Sequence, residues 1–251
     1  MRLNALLPLA LGLLTAPALH AEALPKAIQQ LQAKGAEIKG SFDAPNGLKG
    51  YAAYQNNGIA LYLTPDGKHV LVGSLFDEQG KDLSAEPLEK LVYAPMSKAI
   101  WAKMEKTAWI ADGKADAPRT VYLFSDPNCP YCNMFWQQAR PWVESGKVQL
   151  RHIMVGIIRE DSPGKSAALL AAKDPAKALQ QHEKAGKAST LKPLENIPEA
   201  VRKQLEGNLA LMEEMGLAAT PAIFYQDEQG RLQSQQGAPR PEMLGQILGK
   251  R

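Results

Sequence analysis

Cys129 and Cys132 are separated by two residues and are the only cysteines among the 251 residues of the chain. Two thiols at this spacing can form a reversible disulfide, bind a metal ion with further ligands, or form a structural crosslink. A structural crosslink is disfavoured because closing about four residues removes only roughly 1.9 kcal/mol of unfolded-chain entropy. Zinc needs about four ligands, and the histidines show no paired spacing with each other or with the cysteines. The spacing therefore favours a redox-active dithiol, with a metal ligand and a crosslink as alternatives.

The residues on either side of the cysteines predict a strand that ends in a turn and leads into a helix. Residues 121–124 (VYLF) are apolar, aromatic or β-branched, as is typical of a strand, and Asp126-Pro127-Asn128 is a turn sequence. Pro130 suits the first turn of a helix, because its missing N–H would have no partner there. The dithiol is therefore predicted at the N-terminus of a helix.

This position predicts different roles for the two thiols. The unpaired N–H groups and the positive end of the helix dipole favour an anion, so Cys129 is expected to have a lowered pKa and to be the attacking nucleophile. Cys132 lies one turn further into the helix and is expected to resolve the mixed disulfide. Pro130 and Tyr131, between the cysteines, are expected to tune the redox equilibrium.

The order of elements after the cysteines is typical of a thioredoxin fold with a helical insertion. Residues 147–158 (KVQLRHIMVGII) predict a buried strand parallel to the first, which completes a βαβ unit. Helical segments rich in Ala, Leu, Lys and Glu follow from about 163 to 216. Two strands, at 221–225 and near Leu232, and a helix at 241–248 are then predicted.

The Thr220-Pro221 step begins the first of these last strands. Only about 5–6% of X-Pro bonds in folded proteins are cis, but in this fold context a cis bond is predicted. It would turn the backbone of Thr220 toward the sulfurs and give an extended substrate chain a short edge to pair with. Thr220 and Pro221 are therefore predicted to bind substrate.

The N-terminal half predicts a small antiparallel sheet covered by one helix. The helix is expected at 27–33 and the strands at 37–42, 50–55, 59–63 and 70–76, separated by turns that contain Asn-Gly or Asp-Gly. A domain of about sixty residues is marginal alone. Pairing of a sheet edge with a second copy would stabilise it.

A linker segment with regularly placed apolar residues follows this half: Leu88, Leu91, Met96, Ile100, Trp101 and Met104. Pro87 and Pro95 are expected to limit its helical turns. Packing of the apolar residues against the domains is the favoured interpretation, and substrate binding is the alternative.

Residues 1–21 predict a secretory signal peptide, because Arg2 precedes an uncharged apolar stretch and small residues surround a cleavage point after Ala21. A membrane anchor is the alternative, although two prolines and a glycine interrupt the stretch. Export to the bacterial periplasm is therefore expected. The formal net charge of +3 is spread along the chain, which disfavours nucleic acid as a partner because phosphate binding needs clustered cations.

The cysteine motif and several other stretches resemble the DsbC/DsbG family of periplasmic thiol:disulfide interchange proteins, in the thioredoxin superfamily. They are CPYC at 129–132, Thr220-Pro221, FDAP at 42–45, LTPDGKH at 63–69, YAP at 93–95 and FWQQARPW at 135–142. DsbC usually carries Gly-Tyr between its cysteines, so Pro130-Tyr131 favours the DsbG branch. The resemblance covers nearly the whole chain after the signal segment.

The resemblance implies an α+β N-terminal cystatin-like dimerisation domain, a linker helix and an α/β thioredoxin-fold catalytic domain with a helical insertion. The corresponding boundaries are 22–82, 83–112 and 113–251, with the insertion at about 161–218. It also implies a V-shaped homodimer with one catalytic domain in each arm.

The implied activity is that of a thiol-disulfide oxidoreductase working in the reduced state, with chaperone activity. Its clients would be secreted proteins with sulfenylated cysteines or wrong disulfides, and a DsbD-type membrane reductant would restore the dithiol. No metal and no cofactor beyond the Cys129-Cys132 pair is expected. The alternatives are a holdase chaperone without essential redox chemistry and a DsbA-like oxidase.

One position departs from the thioredoxin pattern. Many relatives carry a buried carboxylate six residues before the first cysteine, where it assists proton transfer to the resolving thiol, and Leu123 occupies that position here. Water, Asp126 in the adjacent turn, or the substrate would then handle the proton.

Overall fold

The structure, a computed structural model, describes residues 23–250. The predicted signal segment, residues 1–21, lies outside the described residues. No helix between residues 23 and 250 has the length and apolar character needed to cross a membrane. The chain divides into two compact units, the first ending at Leu75 and the second beginning at Phe76.

The first unit is an antiparallel sheet with a helix packed on it. Helix α1 (Lys26–Ala33) precedes strands β1 (Glu37–Asp43), β2 (Lys49–Gln55), β3 (Asn57–Leu63) and β4 (Val70–Val72), which lie in the order β1-β2-β3-β4. Ile28 of α1 is fully buried in a core with alternating residues of the central strands, including Tyr51, Ala53, Leu61 and Leu63. This alternation is the period of a strand with one buried face.

Strand β4 is shorter than the predicted strand at 70–76. The backbone N–H of Gly73 still bonds to the carbonyl of Ala60 at 3.0 Å, but its φ of +142° is a conformation that turns the chain out of the sheet. The outer strand therefore ends at Val72, and both Leu71 and Val72 remain exposed.

The second unit begins with a helical segment that passes through both linker prolines. Helix α2 (Ala85–Leu88) continues through a π-helical turn (Glu89–Tyr93) into α3 (Ala94–Glu105). Pro95 lies in the first turn of α3, where its missing N–H is tolerated, and the π-helical turn before it absorbs the change in hydrogen-bond pattern. The prolines therefore do not interrupt the segment as the sequence suggested.

A five-stranded sheet follows in the order β5-β7-β6-β8-β9. The strands are β5 (Trp109–Asp112), β6 (Arg119–Ser125), β7 (Val148–Met154), β8 (Ala222–Gln226) and β9 (Leu232–Gln236), with α4 (Pro130–Glu144) between β6 and β7. Strands β6 and β7 are parallel, and the other neighbouring pairs are antiparallel. Strand β5 lies within the stretch expected to be linker, so the catalytic sheet begins before the predicted boundary at 113.

The two faces of this sheet are covered by different helices. Val121 and Leu123 of β6 pack against α4 and the C-terminal helix α8 (Leu244–Leu248), which a short 3₁₀ turn at Pro241–Met243 precedes. Tyr122 and Phe124 face the other side, where Met104 of α3 is fully buried with residues of helix α7 (Glu199–Glu214). Trp101 packs edge-on against Tyr122 at 5.0 Å, so the linker's apolar residues near its end serve packing within this unit.

The insertion between β7 and β8 consists of three helices: α5 (Ser162–Leu170), α6 (Pro175–Ala185) and α7 (Glu199–Glu214). Leu169 of α5 and Leu179 of α6 are fully buried against Ile110 and Met154 at the β5 side of the sheet. The three helices are separated by breaks near Asp174-Pro175 and before Glu199. The insertion therefore covers the β5 edge of the sheet and reaches the end of β6, where the turn that leads to the cysteines begins.

Candidate active site

Cys129 lies at the N-terminal boundary of α4, directly after the turn that follows β6. Its backbone is extended, and its Sγ accepts a hydrogen bond from the backbone N–H of Cys132 at 3.4 Å. Pro130 is the first residue of the helix and contributes no donor. The thiol is therefore the group that caps the helix, in the position where a negative charge is stabilised by the free N–H groups.

The tertiary structure brings Thr220 to this thiol from 91 residues away in the sequence. The Cys129 S–H donates to the backbone carbonyl of Thr220 at 3.3 Å, and the peptide bond between Thr220 and Pro221 is cis. Strand β8 begins at the next residue and pairs with β6. The paired strands β6 and β8 thus have four predicted site residues at one end: Cys129, Cys132, Thr220 and Pro221.

The surroundings of Cys129 lower its pKa to about 6. The main cause is a hydrogen bond from the Cys132 thiol; the Thr220 side chain and the backbone N–H groups of Cys132 and Tyr131 add to it, while burial opposes it. Among the described residues, the buried Thr220 hydroxyl has no hydrogen-bond partner while Cys129 is a thiol. It is therefore free to donate to the sulfur once the thiol proton has left.

Cys132 is in the opposite electrostatic situation. Burial raises its pKa well above the ordinary value, and the neighbouring Cys129 raises it further. Only the backbone N–H of Asp126 and the hydroxyl of Ser125 oppose this rise. The two thiols are thus separated in acidity, so that one is a thiolate near neutral pH and the other is protonated.

Leu123 does not supply a polar group to the site. Its side chain is fully buried in the apolar core between the sheet and α4. The buried carboxylate of the common thioredoxin pattern is therefore replaced by hydrocarbon.

The Asp126 carboxylate is buried, and each of its oxygens accepts two hydrogen bonds. Oδ1 accepts from the N–H of Asn128 at 2.8 Å and the hydroxyl of Ser162 at 2.9 Å. Oδ2 accepts from the N–H groups of Ile157 and Ile158 at 2.7 and 3.0 Å. These bonds join the cysteine turn to the chain after β7 and to the start of α5, so the carboxylate fixes the shape of the active-site loops.

Sequence reasoning missed the residues that attach the insertion to the cysteine turn. Asn128 donates to Asp161 and Ser162 at 2.8 and 2.9 Å, and His182 Nε2 contacts the carbonyl of Pro127 at 2.8 Å. Asn133, on α4, donates to the carboxylate of the buried Glu183 at 2.7 Å. A buried Glu or a lone His in an amphipathic helix carries no local signal of such a contact.

The side chains around the thiol include exposed apolar groups. Tyr131 is 57% exposed and Met134, one turn further along α4, is 45% exposed. Ile157 and Ile158 are exposed on the loop that Asp126 holds beside the cysteine turn. The Tyr131 ring is therefore exposed to solvent near the thiol, and the backbone N–H of Tyr131 helps to lower the pKa of Cys129.

Two family models match the chain. A thioredoxin-like domain matches residues 108–251, and the disulfide bond isomerase protein N-terminal domain matches residues 15–85.

Curated relatives match over nearly the full length. The chain is 73% identical to the thiol:disulfide interchange protein DsbG of Pseudomonas aeruginosa over 241 residues, which is 96% of this chain and 93% of the relative. It is 47% identical to DsbG of Escherichia coli K12 over 244 residues, 97% and 98% of the two chains. Among solved structures, the catalytic domain of Proteus mirabilis ScsC has a TM-score of 0.50 at 22% identity, covering 62% of this chain and 96% of that one. This last likeness concerns the fold alone.

Replacement of Asp126 by Asn is expected to destabilise the protein by about 1–3 kcal/mol, because the amide NH₂ would face buried N–H donors in place of an acceptor. Denaturant unfolding of the reduced protein measures the change. Asp161→Asn is the matched control: its partly exposed carboxylate interacts with Lys165, Asn128 and Arg159, so its effect should stay below about 1 kcal/mol. Equal effects of the two substitutions would contradict the role given to Asp126.

The reactivity of Cys129 is expected to follow a titration with a midpoint at about pH 6. Because its pKa is lower in the folded than in the unfolded chain, where it is about 8.5, ionisation stabilises the reduced fold fully above pH 8.5. That contribution is lost as the pH falls through the folded value. Thiolate absorbance and the alkylation rate between pH 4 and 10 measure the midpoint.

The Cys132→Ala variant tests the cause of this shift. It removes the thiol that donates to Cys129, so the midpoint should move upward while the single remaining cysteine simplifies the measurement. A midpoint that stays near 6 in this variant would assign the low pKa to the remaining donors, which are the Thr220 hydroxyl and the backbone N–H groups at the helix N-terminus.

Proposed function

The chain belongs to the DsbG family of thiol:disulfide interchange proteins, and from that premise we propose that it works in the reduced state in the periplasm. Its clients are secreted proteins whose cysteines carry sulfenic acids or wrong disulfides. The observation that carries this proposal is the separation of the two thiols, since Cys129 has a pKa of about 6 and the buried Cys132 has one well above the ordinary value.

The first step is attack of the Cys129 thiolate on an oxidised client sulfur. With a sulfenic acid, a sulfur–sulfur bond forms between Cys129 and the client, the S–O bond breaks, and hydroxide leaves as water after protonation. With a wrong disulfide, the same attack expels one client thiolate. The low pKa of Cys129 keeps a large fraction of the nucleophile ionised near neutral pH.

The second step releases the client. Cys132 loses its proton, attacks the Cys129 sulfur of the mixed disulfide, and the client leaves as a thiol. The Ser125 hydroxyl and the Asp126 N–H, which favour the Cys132 thiolate, assist this step. Since the Asp126 carboxylate already accepts four hydrogen bonds, water or the departing client sulfur is the better proton acceptor.

Pairing with the client backbone positions the reacting sulfur. The carbonyl of Thr220 is 3.3 Å from Cys129 Sγ, directly before the strand that pairs with β6. An extended client segment that hydrogen-bonds beside Thr220 and Pro221 would present its cysteine to the thiolate. Exposed Tyr131 supplies an apolar contact on the other side of the sulfur.

Reduction of a client leaves Cys129 and Cys132 as a disulfide, and a membrane reductant of the DsbD type returns two electrons and two protons to it. The proposed compartment follows from the signal-like residues 1–21 and from the oxidising periplasm, in which wrong disulfides persist. No metal or organic cofactor takes part in these steps.

A homodimer is part of the proposal. Strand β4 is an outer strand of the N-terminal sheet, and its Leu71 and Val72 are 58% and 59% exposed. An exposed apolar outer strand favours pairing with another chain. The match of this region to the isomerase N-terminal domain model supports a second copy as that partner.

Thiol trapping in cells tests the working redox state. After acid quench and alkylation of periplasmic extracts, Cys129 and Cys132 should be mostly reduced and should become oxidised when the membrane reductant is deleted. The Cys132→Ala variant should accumulate mixed disulfides with clients, and the Cys129→Ala, Cys132→Ala control should not. A pair that is oxidised in both strains would favour the DsbA-like oxidase instead.

A chaperone activity is a second candidate, favoured by the exposed apolar side chains beside the dithiol: Tyr131, Met134, Ile157 and Ile158. A Cys129→Ser, Cys132→Ser variant should still suppress aggregation of a reduced, unfolded client without cysteines, because holding requires only apolar contact. Light scattering measures this. Loss of protection in that variant would remove the support for holding as a separate activity.

A further inference from the structure

A cavity of about 760 Å³ opens beside the attacking thiol and has Cys129 in its wall. One side is the outward face of α4, with Pro130 and Met134. The opposite side belongs to the insertion, with His182 and Lys187 from α6 and the turn after it. A space of this size accommodates several side chains of a bound polypeptide.

The walls of this cavity are held together by hydrogen bonds between the two sides. His182 contacts the Pro127 carbonyl at 2.8 Å and the Ser189 hydroxyl at 2.6 Å. Asn133 donates to both the backbone carbonyl and the carboxylate of Glu183, at 2.6 and 2.7 Å. The cavity is therefore a formed feature of the reduced protein, which lowers the entropy that a bound segment would lose.

The charged groups in its lining are mainly cations. Arg159, Lys165 and Lys187 line the cavity, and neither Arg159 nor Lys187 forms an ion pair with any described residue. Lys165 is shared between Asp161 and the Asn128 side-chain carbonyl, each at 2.8 Å. The one lining carboxylate, Glu183, is buried and held by Asn133. Arg159 and Lys187 thus remain without an ion pair in the lining of the cavity that also contains Cys129, with Arg159 attracted at longer range by Asp161.

We propose that this cavity binds an acidic segment of the client, within a few residues of its oxidised cysteine. The inference rests on the proposed function, because the segment is placed there by the reaction at Cys129. Carboxylates of the client would pair with Arg159 and Lys187, while its cysteine reaches the sulfur in the same wall. Charge complementarity of this kind accelerates encounter with matching clients and disfavours basic ones.

Two peptides of equal length test the proposal, each dimerised through one cysteine flanked by two Glu or by two Lys residues. The second-order rate constant for oxidation of the reduced protein is measured by acid quench and alkylation at low ionic strength. Each rate is divided by the rate of the same peptide with dithiothreitol, which removes the intrinsic reactivity of the peptide. The ratio of the acidic to the basic peptide is the readout.

The expected ratio is about fivefold in favour of the acidic peptide, in line with the modest strength of exposed charge pairs, and it should fall toward 1 at high salt. In the Arg159→Gln, Lys187→Gln variant it should fall to about 1 at low salt as well. A general effect of these cations on the Cys129 thiolate would change both rates together and leave the ratio unaltered.

A matched control removes two cations elsewhere. Lys147 follows the C-terminal end of α4 and Lys173 lies between α5 and α6; both are exposed and neither lines the cavity. Lys147→Gln, Lys173→Gln should keep the fivefold ratio at the same formal net charge. Equal normalised rates of the two peptides with the unaltered protein, or an equal fall of the ratio in both double variants, would overturn the inference. If neither peptide oxidises the protein, the proposed function fails and the inference with it.

Discussion

The chemistry of this protein depends on the stabilisation of negative charge on one sulfur atom. Cys129 Sγ lies where helix α4 begins, and the N–H of Cys132 points at it from 3.4 Å. The thiol of Cys132 and the hydroxyl of Thr220 add donors, so the pKa of Cys129 falls to about 6 although the residue is buried. Burial raises the pKa of both thiols, but at Cys132, one turn further along, fewer donors compensate for the lost hydration, so its pKa lies well above the ordinary value. One structural arrangement thus gives the two thiols the separate acidities on which their proposed roles as nucleophile and resolving thiol rest.

The loops around that sulfur depend on a second anion, which is structural. The carboxylate of Asp126 accepts hydrogen bonds from the cysteine turn, from the loop after β7 and from the start of α5. A carboxylate is suited to this role because it offers about four acceptor positions in one small group. Leu123 lies in the apolar core, so no single buried acid serves both tasks at this site. The Asp126 carboxylate fixes the conformation of the loops, while the backbone N–H of Asp126 and the Ser125 hydroxyl favour the Cys132 thiolate.

In the proposed mechanism, the helical insertion links the redox centre to client selection. Its helices α5 and α6 are anchored on the sheet by Leu169 and Leu179, while polar contacts from His182 and Glu183 attach its outer part to α4 and the cysteine turn. The result is a cavity with unpaired cations on one side of Cys129 and exposed apolar side chains elsewhere around it. The thioredoxin-like sheet and α4 hold the two thiols, and the proposal assigns the discrimination between clients to the surface that the added helices form.

The sequence by itself determined the identity of the dithiol, its place at a strand-to-helix junction and the order of the elements, because these depend on local turn chemistry and on hydrophobic periodicity. It also identified Thr220-Pro221, through the order of elements in the fold.

Strand β5 escaped prediction because its four residues, Trp109–Asp112, are too few for a periodic signal and owe their conformation to pairing with β7. The continuous helical passage through Pro95 was hidden because a π-helical turn has no local sequence mark. Only the tertiary structure decided the function of Asp126, the attachment of Asn128, Asn133 and His182, and the placement of cations in the cavity that contains Cys129. Each depends on the proximity of residues thirty or more positions apart. Contacts at that separation follow from how the elements pack, which no local pattern specifies.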